Sequence, residues 1–225
     1  MVKHALKENV AHLVSLWHSY GGVVKKEGIY RHEQWPHKAW SVDQEINESV
    51  SSLRLNRTNT PLGWKYFTFD SEQPREAVSS LVAMHKSITD VKDIFEDASI
   101  KEVVSEKELA EWVTLGSEGF GYQIDISPIL RVFSQARSRL YFIMSDEIAV
   151  GTVMTWTEGR DVGIHQMAIT QAGRGKGLAG KALVQLERIA RFHGAQTLSL
   201  QASKKGFKIY AGAGFSPLGY ISSYL

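Results

Sequence analysis

The sequence contains no cysteine. Without thiols the chain has no disulfides, no cysteine nucleophile and no cysteine-ligated zinc, so its chemistry must rely on oxygen and nitrogen groups. Long apolar runs are also missing, since no stretch approaches the roughly 20 residues of a membrane-spanning helix. The N-terminus MVKHALKENVAHLV lacks the apolar core of a signal peptide. We therefore expect a cytoplasmic protein that does not bind a membrane.

An excess of one charge is likewise absent. The 26 Lys and Arg residues nearly balance the 24 acidic residues, and no dense basic stripe is present to neutralise phosphates. Nucleic acid is therefore not an expected partner. What the chain does contain is 43% apolar and 10% aromatic residues in a length of 225, which predicts a folded protein with a real core.

The first 95 residues predict a small mixed α/β region. Apolar residues at helical spacing predict a helix over residues 6–20, which ends at Gly21. A loop rich in His and Trp follows, then a strand over residues 64–69. We predict a second helix from Pro74 to His85. The loop residues Trp35, His37 and Trp40 show no metal-ligand spacing, so we interpret them as core packing and expect no metal.

Residues 96–225 predict a second, larger domain. Ser105 and Glu108 form a capping box that begins a helix, and the glycines between residues 116 and 121 predict a break in it. Pro128 begins a short helix. Three antiparallel strands are predicted over 140–144, 148–157 and 162–170, followed by a loop, a helix, a parallel strand over 197–201, a last helix near 204–211 and a final strand.

The loop between the third of these strands and the next helix carries the strongest chemical signal. The segment TQAGRGKGLAGK, residues 170–181, places four glycines and the cations Arg174 and Lys176 at a helix N-terminus. Free amides and the positive helix end there suit a pyrophosphate. A Walker A loop is excluded because Gly177 follows Lys176. A dinucleotide fingerprint and a turn that binds nothing remain as alternatives.

Arg174-x-x-Gly177-x-Ala179 resembles the phosphate-loop motif of the GCN5-related N-acetyltransferases. Three further matches agree with this family: an apolar triplet before the loop, a Tyr, and a Gly-Phe pair near the C-terminus. These are Met167-Ala168-Ile169, Tyr210 and Gly214-Phe215. The resemblance covers about residues 100–225, and Ser203 and Gly206 stand where the family has Asn and Ala.

The resemblance implies a mixed, mostly antiparallel central sheet flanked by helices. The N-terminal α/β extension, residues 1–95, is expected to pack on this core, and we interpret it as a degenerate half-copy of the fold. The resemblance also implies acetyl-CoA as co-substrate. The residues implied to bind it are Met167, Ala168, Ile169, Arg174, Gly175, Lys176, Gly177, Leu178, Ala179, Gly180, Ser203 and Tyr210.

Catalytic roles follow from the same resemblance. Tyr210 is implied to protonate the departing sulfur, and the N–H near Ile169 to bind the thioester carbonyl oxygen. His165 lies two residues before Met167 and is a candidate base because imidazole titrates near neutrality. Glu118 is a second candidate base. Glu158, Asp161 and a chain of waters remain as alternatives.

The expected activity is transfer of an acetyl group to a primary amine by direct attack in a ternary complex. The amine belongs to a small molecule or a peptide, and Phe120 and Tyr122 are either a wall of its site or buried anchors of a loop. The alternative function is a non-catalytic acyl-CoA-binding sensor or partner-binding module. The sequence leaves a homodimer open.

Overall fold

A computed structural model describes most of the chain. The described residues are 2–26, 28–41, 65–73, 77–88 and 99–224. The chain forms two compact units. The first consists of Met1–His85, Gln201–Phe207 and Ser216–Leu225, and the second of Lys86–Leu200 and Lys208–Phe215. The division predicted near residue 95 stays a prediction.

The first unit combines one long helix with six strands among the described residues. The helix is α1, Val2–Ser19. The strands are β1 Val23–Lys26, β2 Ile29–His32, β3 Lys38–Ser41, β4 Lys65–Asp70, most of β5 Ser79–Ser87, and the eleventh strand in chain order, β11 Ser216–Tyr224. They pair in the order β1-β2-β3-β4-β11-β5, and all neighbours are antiparallel except β3 and β4. The C-terminal strand thus lies between two N-terminal ones.

Helix α1 is confirmed, and it buries the apolar face that predicted it. On this face the ring centroid of Trp17 lies 5.1 Å from that of Trp40 and 5.1 Å from that of Phe67. His32 is completely buried in the same cluster, and its Nε2 lies 2.8 Å from the Trp17 carbonyl oxygen. Trp40 is therefore core as predicted, whereas His37 is exposed.

The helix predicted between Pro74 and His85 is wrong. Residues 79–87 form β5, and Pro74 lies outside the described residues. The strand is stabilised by β11, whose Ser222 and Ser223 meet Ser80 and Ser79 at Oγ–Oγ distances of 2.9 and 2.7 Å. A short apolar run fits the residue period of a helix and that of a strand, so pairing with a distant strand determined which of the two formed.

The second unit contains the predicted three-strand meander and the β-loop-α-β segment. Its elements are β6 Ile100–Glu102, α2 Glu106–Phe120, α3 Ile126–Phe133, β7 Ser138–Ser145, β8 Ile148–Glu158, β9 Asp161–Ile169, α4 Leu178–Phe192, most of β10 Thr197–Ala202, and most of α5 Phe207–Gly212. The strand order is β10-β9-β8-β7-β6, with only β9 and β10 parallel. The short strand β6 was not predicted.

Helix α2 begins as predicted but does not break at its glycines. The Ser105 side chain accepts a 3.2 Å hydrogen bond from the Glu108 N–H, which is the predicted cap. The helix then continues to Phe120 and ends only at Gly121, which has a φ of 76°. A Cβ at Gly119 would lie 2.9 Å from the Ala168 Cβ. Glycine is used here to let helix and strand approach closely.

The predicted fold class is confirmed, with helices flanking a mostly antiparallel sheet. In the second unit Trp112 and Trp156 are completely buried, and Trp112 Nε1 donates to the Tyr141 carbonyl at 3.0 Å. Within the described residues, every helix is too short or too polar to cross a bilayer.

Candidate functional site

Strand β9 is irregular close to its C-terminal end. Two of its residues, Gln166 and Met167, oppose the single residue Val153 of β8. Gln166 has a φ of 48°, in the left-handed region, and its carbonyl accepts a 3.0 Å hydrogen bond from Thr152 Oγ1. A β-bulge of this kind bends the strand and re-aims side chains, and it often lies beside a functional site.

The side chain of Gln166 is a second irregularity at the same point. Its Oε1 is buried and has no hydrogen-bond partner among the described residues. Buried acceptors without partners are uncommon and costly, as is a left-handed non-glycine backbone. Nothing in the sequence indicated Gln166, because a bulge has no residue pattern of its own.

The backbone of β9 offers a hydrogen-bond donor beyond this bulge. The parallel ladder with β10 ends at the pair Ile164 and Leu200. On the other edge the Thr170 N–H donates to the Val150 carbonyl at 2.9 Å. Because successive N–H groups of a strand alternate between its edges, Ile169 directs its N–H to the edge where the β10 ladder has ended.

The loop after β9 has an open backbone surface. Gly175 and Gly177 have left-handed φ values of 77° and 71°, and a Cβ built at either would meet nothing within 4 Å. A Cβ at Gly180, in the first turn of α4, would likewise meet nothing within 4 Å. The predicted close approach of a ligand to these three glycines is therefore sterically possible.

Helix α4 begins without a side-chain cap. Its N-cap residue is Gly177, whose carbonyl receives the first helical hydrogen bond from the Lys181 N–H at 3.3 Å. The amides of Leu178, Ala179 and Gly180 precede that bond and so have no carbonyl within the helix. Together with the positive helix end, these donors fit a pyrophosphate.

The two cations of the loop differ in their surroundings. Arg174 donates from Nε to the Ile169 carbonyl at 3.1 Å, from Nη1 to Gln171 Oε1 at 3.1 Å and from Nη2 to the Gly119 carbonyl at 3.2 Å. Both cations are exposed, but Lys176 makes no hydrogen bond or ion pair with any described residue. The sequence alone does not distinguish the two residues, because both contribute a positive charge.

Tyr210 lies next to the bulged strand. Its hydroxyl donates to Met167 Sδ at 3.5 Å, and its ring centroid is 6.1 Å from that of Phe215. Burial raises the pKa of the Tyr210 phenol to about 12. The phenol therefore keeps its proton at physiological pH and is available as a hydrogen-bond donor.

The predicted triplet lies where helix α2 meets β9. Ala168 faces Gly119 of α2, and Ile169 packs against Gly173, where a Cβ would lie 2.8 Å from Ile169 Cγ2. Met167 contacts Tyr210 as described above. Gly119 and Gly173 thus shape this part of the site, and sequence reasoning missed their role because it interpreted Gly119 as a helix breaker.

The two predicted bases lie in different settings. His165 is buried in β9 directly before the bulge. Because the bulge interrupts the alternation of side chains, a spacing of two residues no longer assigns His165 and Met167 to one face. Glu118 is exposed in the last turn of α2, not in a helix break as predicted. Their catalytic roles stay predictions.

The alternative acids lie at the opposite end of β9. Glu158 pairs with Arg137 at 3.0 Å, and Asp161 accepts hydrogen bonds from the hydroxyls of Thr197 and Ser199. Ile169 lies eight residues after Asp161 along the strand, about 26 Å at a rise of ~3.3 Å per residue. Among the described residues no group of three acids or histidines is placed to hold a metal.

The remaining predicted residues are Ser203, Phe120 and Tyr122. Ser203 belongs to the first unit, and its Oγ accepts a 3.2 Å hydrogen bond from the Gly206 N–H. Phe120 and Tyr122 stack with centroids 5.3 Å apart at the end of α2, and Tyr122 is 50% exposed. Phe120 is half-buried, and an aromatic pair with one exposed member is compatible with the predicted wall of an acceptor site.

Comparison with known proteins agrees with this geometry. The model of the acetyltransferase (GNAT) family matches residues 101–215. Among curated proteins none matches this chain. The fold is similar to the GCN5-related N-acetyltransferase from Kribbella flavida, with 15% identity, a TM-score of 0.65 and coverage of 97% of this chain and 94% of that one.

Two further solved structures share the fold. The GCN5-related N-acetyltransferase from Sphaerobacter thermophilus is 12% identical with a TM-score of 0.58, over 87% of this chain and 75% of that one. A conserved protein of unknown function from Staphylococcus epidermidis is 8% identical with a TM-score of 0.57, over 89% and 91%. From the family match, which includes the bulged strand, the glycine loop and Tyr210, the chain belongs to the acetyltransferase (GNAT) family.

Proposed function

We propose that the protein is an N-acetyltransferase that transfers the acetyl group of acetyl-CoA to a primary amine by direct attack. The observation that carries this proposal is the uncapped start of α4, where exposed glycines and free amides follow the bulged strand β9. Membership of the acetyltransferase family supports the reaction class.

The donor set at the loop fits the pyrophosphate of acetyl-CoA. The amides of Leu178, Ala179 and Gly180 would bind phosphate oxygens, and Lys176 would add charge. Gly175 and Gly177 leave room for the phosphates because no Cβ occupies that space. When bound, acetyl-CoA would supply the thioester whose acetyl group is transferred.

The groups needed for the chemical step lie along β9. The Ile169 N–H, directed to the edge beyond the β10 ladder, would donate to the thioester carbonyl oxygen. Tyr210, whose pKa is raised to about 12, would give its proton to the departing sulfur. Its 3.5 Å bond to Met167 Sδ places the hydroxyl beside the strand on which the thioester is proposed to bind.

The attacking amine must lose a proton, and His165 is our preferred base. It lies in β9 directly before the bulge, whereas Glu118 is exposed at the end of α2. His165→Gln should remove an acidic limb from the pH profile of kcat/KM, and Glu118→Gln should not. The reverse result would make Glu118 the base, and two unchanged profiles would favour a water chain.

The acceptor is proposed to be an amine of a small molecule or a peptide. Phe120 and Tyr122 support an acceptor wall, because they stack at the end of α2 and Tyr122 is 50% exposed. An assay of thiol release from acetyl-CoA across amines, amino acids and peptides would identify the class. Binding of acetyl-CoA without turnover on any of them would instead support the sensor or partner-binding module.

Calorimetry with acetyl-CoA tests the proposed binding site. Gly177→Glu places a carboxylate where phosphate should bind, and we expect at least a hundredfold loss of affinity. Gly159→Glu is the matched control, because Gly159 also has a left-handed φ, 58°, and also meets nothing within 4 Å, but lies in the β8–β9 turn. Equal affinity of the two variants would place the coenzyme elsewhere.

A further inference from the structure

Arg174 connects three separate pieces of backbone structure in the second unit. Its guanidinium donates to the carbonyl of Ile169 at the end of β9, to the side chain of Gln171 in the loop, and to the carbonyl of Gly119 in α2, at 3.1 to 3.2 Å. Each bond uses a different nitrogen atom. The plane of the guanidinium is therefore fixed by three points.

All three acceptors are neutral, and two are main-chain carbonyls. The last carbonyls of a helix lack partners within the helix, and an arginine is a suitable donor to them. Gly119 lies in the last turn of α2, one residue before the helix ends at Phe120. The bond from Arg174 thus satisfies the end of α2 with a side chain from the loop after β9.

We propose that Arg174 is a positioning residue that fastens the last turn of α2 to the loop, and that Lys176 rather than Arg174 supplies the charge that attracts phosphate. Lys176 lies two residues away, is exposed, and makes no hydrogen bond or ion pair with any described residue. The identity of the ligand that this loop binds rests on the proposed function. The contact that Arg174 makes between α2 and the loop does not depend on that function.

The arrangement has a consequence for the two substrates. The last turn of α2 carries Phe120 and leads to Tyr122, the proposed acceptor wall, while the loop carries the proposed phosphate site. One side chain therefore bonds both to the helix turn that leads to the acceptor wall and to the coenzyme loop. Loss of Arg174 should disturb the productive geometry more than it weakens coenzyme binding.

The substitution Arg174→Lys distinguishes a role in holding α2 to the loop from a role as a positive charge. Arg174→Lys keeps the positive charge, but a single ammonium cannot replace three donors spread over a planar fork. If Arg174 acts by fastening, Arg174→Lys should behave like Arg174→Ala. If it acts as a charge, Arg174→Lys should behave like the wild type.

Hydrogen exchange of the free protein tests the fastening without any ligand. We expect Arg174→Ala and Arg174→Lys both to speed amide exchange in residues 118–122 by at least severalfold, since a bond that holds this turn is lost. Lys176→Ala is the control from the same loop and should leave that exchange unchanged. Melting temperature should be followed to verify that all variants fold.

Measurements of kinetics and of acetyl-CoA binding provide a second test of the role of Arg174. Both Arg174 variants should lower kcat/KM about tenfold, with a smaller change in Kd for acetyl-CoA, because each hydrogen bond is typically worth a few-fold. Lys176→Ala should weaken acetyl-CoA binding and make it less sensitive to salt, since salt screens exposed charges.

The inference is overturned if Arg174→Lys exchanges and turns over like the wild type while Arg174→Ala does not, or if exchange in residues 118–122 is unchanged in both. A wild-type protein that fails to bind acetyl-CoA would refute the proposed function. Even then, the exchange comparison would decide whether Arg174 fastens α2 to the loop.

Discussion

The first unit buries a histidine completely in its aromatic core, whereas the second unit leaves backbone amides exposed at the start of a helix. His32 is completely buried among aromatic rings, within 5.2 Å of the Trp40 centroid and 6.2 Å of that of Tyr20. The start of α4, by contrast, presents Gly177 and Gly180 to open space. The first unit encloses this imidazole in its core, and the second unit leaves these amide donors available to a ligand.

The difference shows how two similar combinations of helix and sheet serve different ends. Burying a neutral imidazole among rings favours a stable core that is sensitive to acid. Leaving amides without partners at a helix start favours anion binding. A bulge with a strained residue, Gln166, occurs in β9 of the second unit, and such strain is typical of functional sites.

The largest expected effect concerns the acid sensitivity of the first unit. Burial, with a smaller contribution from the charge of Lys38, lowers the pKa of His32 to about 4. The unfolded chain takes up a proton near pH 6.5, before the folded one, so stability falls as pH drops from about 6.5 towards 4. The full loss is on the order of 3 kcal/mol, because each pKa unit is worth about 1.4 kcal/mol.

Replacing His32 tests this directly. His32→Gln keeps a donor for the Trp17 carbonyl but cannot titrate, so urea unfolding followed by tryptophan fluorescence should depend less steeply on pH between 6.5 and 4. His4→Gln, on the exposed surface of α1, is the control. If the pH dependence of unfolding is unchanged in His32→Gln, the buried imidazole does not make the first unit sensitive to acid.

The next largest effect concerns turnover in the second unit. Tyr210→Phe keeps the ring packed near Phe215 while deleting the hydroxyl that reaches Met167. Proton donors typically contribute at least tenfold, so kcat should fall at least tenfold while the Kd of acetyl-CoA changes far less. Tyr220→Phe, in β11, is the control.

Saturating substrate concentrations are needed to read this result. Wild-type kcat in Tyr210→Phe would mean that the phenol only packs, and the second unit would then resemble the first in using its aromatic residues for structure. Loss of affinity together with turnover would indicate a collapsed pocket.

The smallest effect concerns the cap of α2. Ser105→Ala removes the oxygen that accepts from the Glu108 N–H at 3.2 Å. We expect a loss of about 1 kcal/mol in the free energy of unfolding, which is the usual cost of an N-cap. Thr114→Ala, in the middle of the same helix, is the control, because its hydroxyl only bonds back to the Ala110 carbonyl at 3.0 Å. A loss no larger than that of the control would mean that tertiary packing alone holds the helix start.

The second unit was more predictable from the sequence than the first. Its turns, capping box and glycine loop are local signals, so α2 and the β9-loop-α4 segment could be assigned from neighbouring residues. Residues 79–87 form a strand that pairs with β11, and β11 is distant in sequence. A contact between distant segments leaves no local signal in the pattern of a single strand.

The site was predictable in its residue types but not in its geometry. The glycines and Tyr210 carried a family motif, whereas the bulge at Gln166 depends on a register shift against β8. The three bonds of Arg174 likewise depend on where α2 ends. Gly119 was interpreted as a breaker, because helix propensity dominates such a prediction when the packing partner is unknown.

The position of β11 between β4 and β5 affects the order in which the two units fold during synthesis. The ribosome completes β4 and β5 early, but makes the strand that joins them only after the whole of Lys86–Leu200. Contacts so distant in sequence form late, because a long loop must close first. We therefore expect β4 and β5 each to keep an unpaired strand edge while the second unit folds. Unpaired edges promote aggregation, so a chaperone should have its largest effect during this interval.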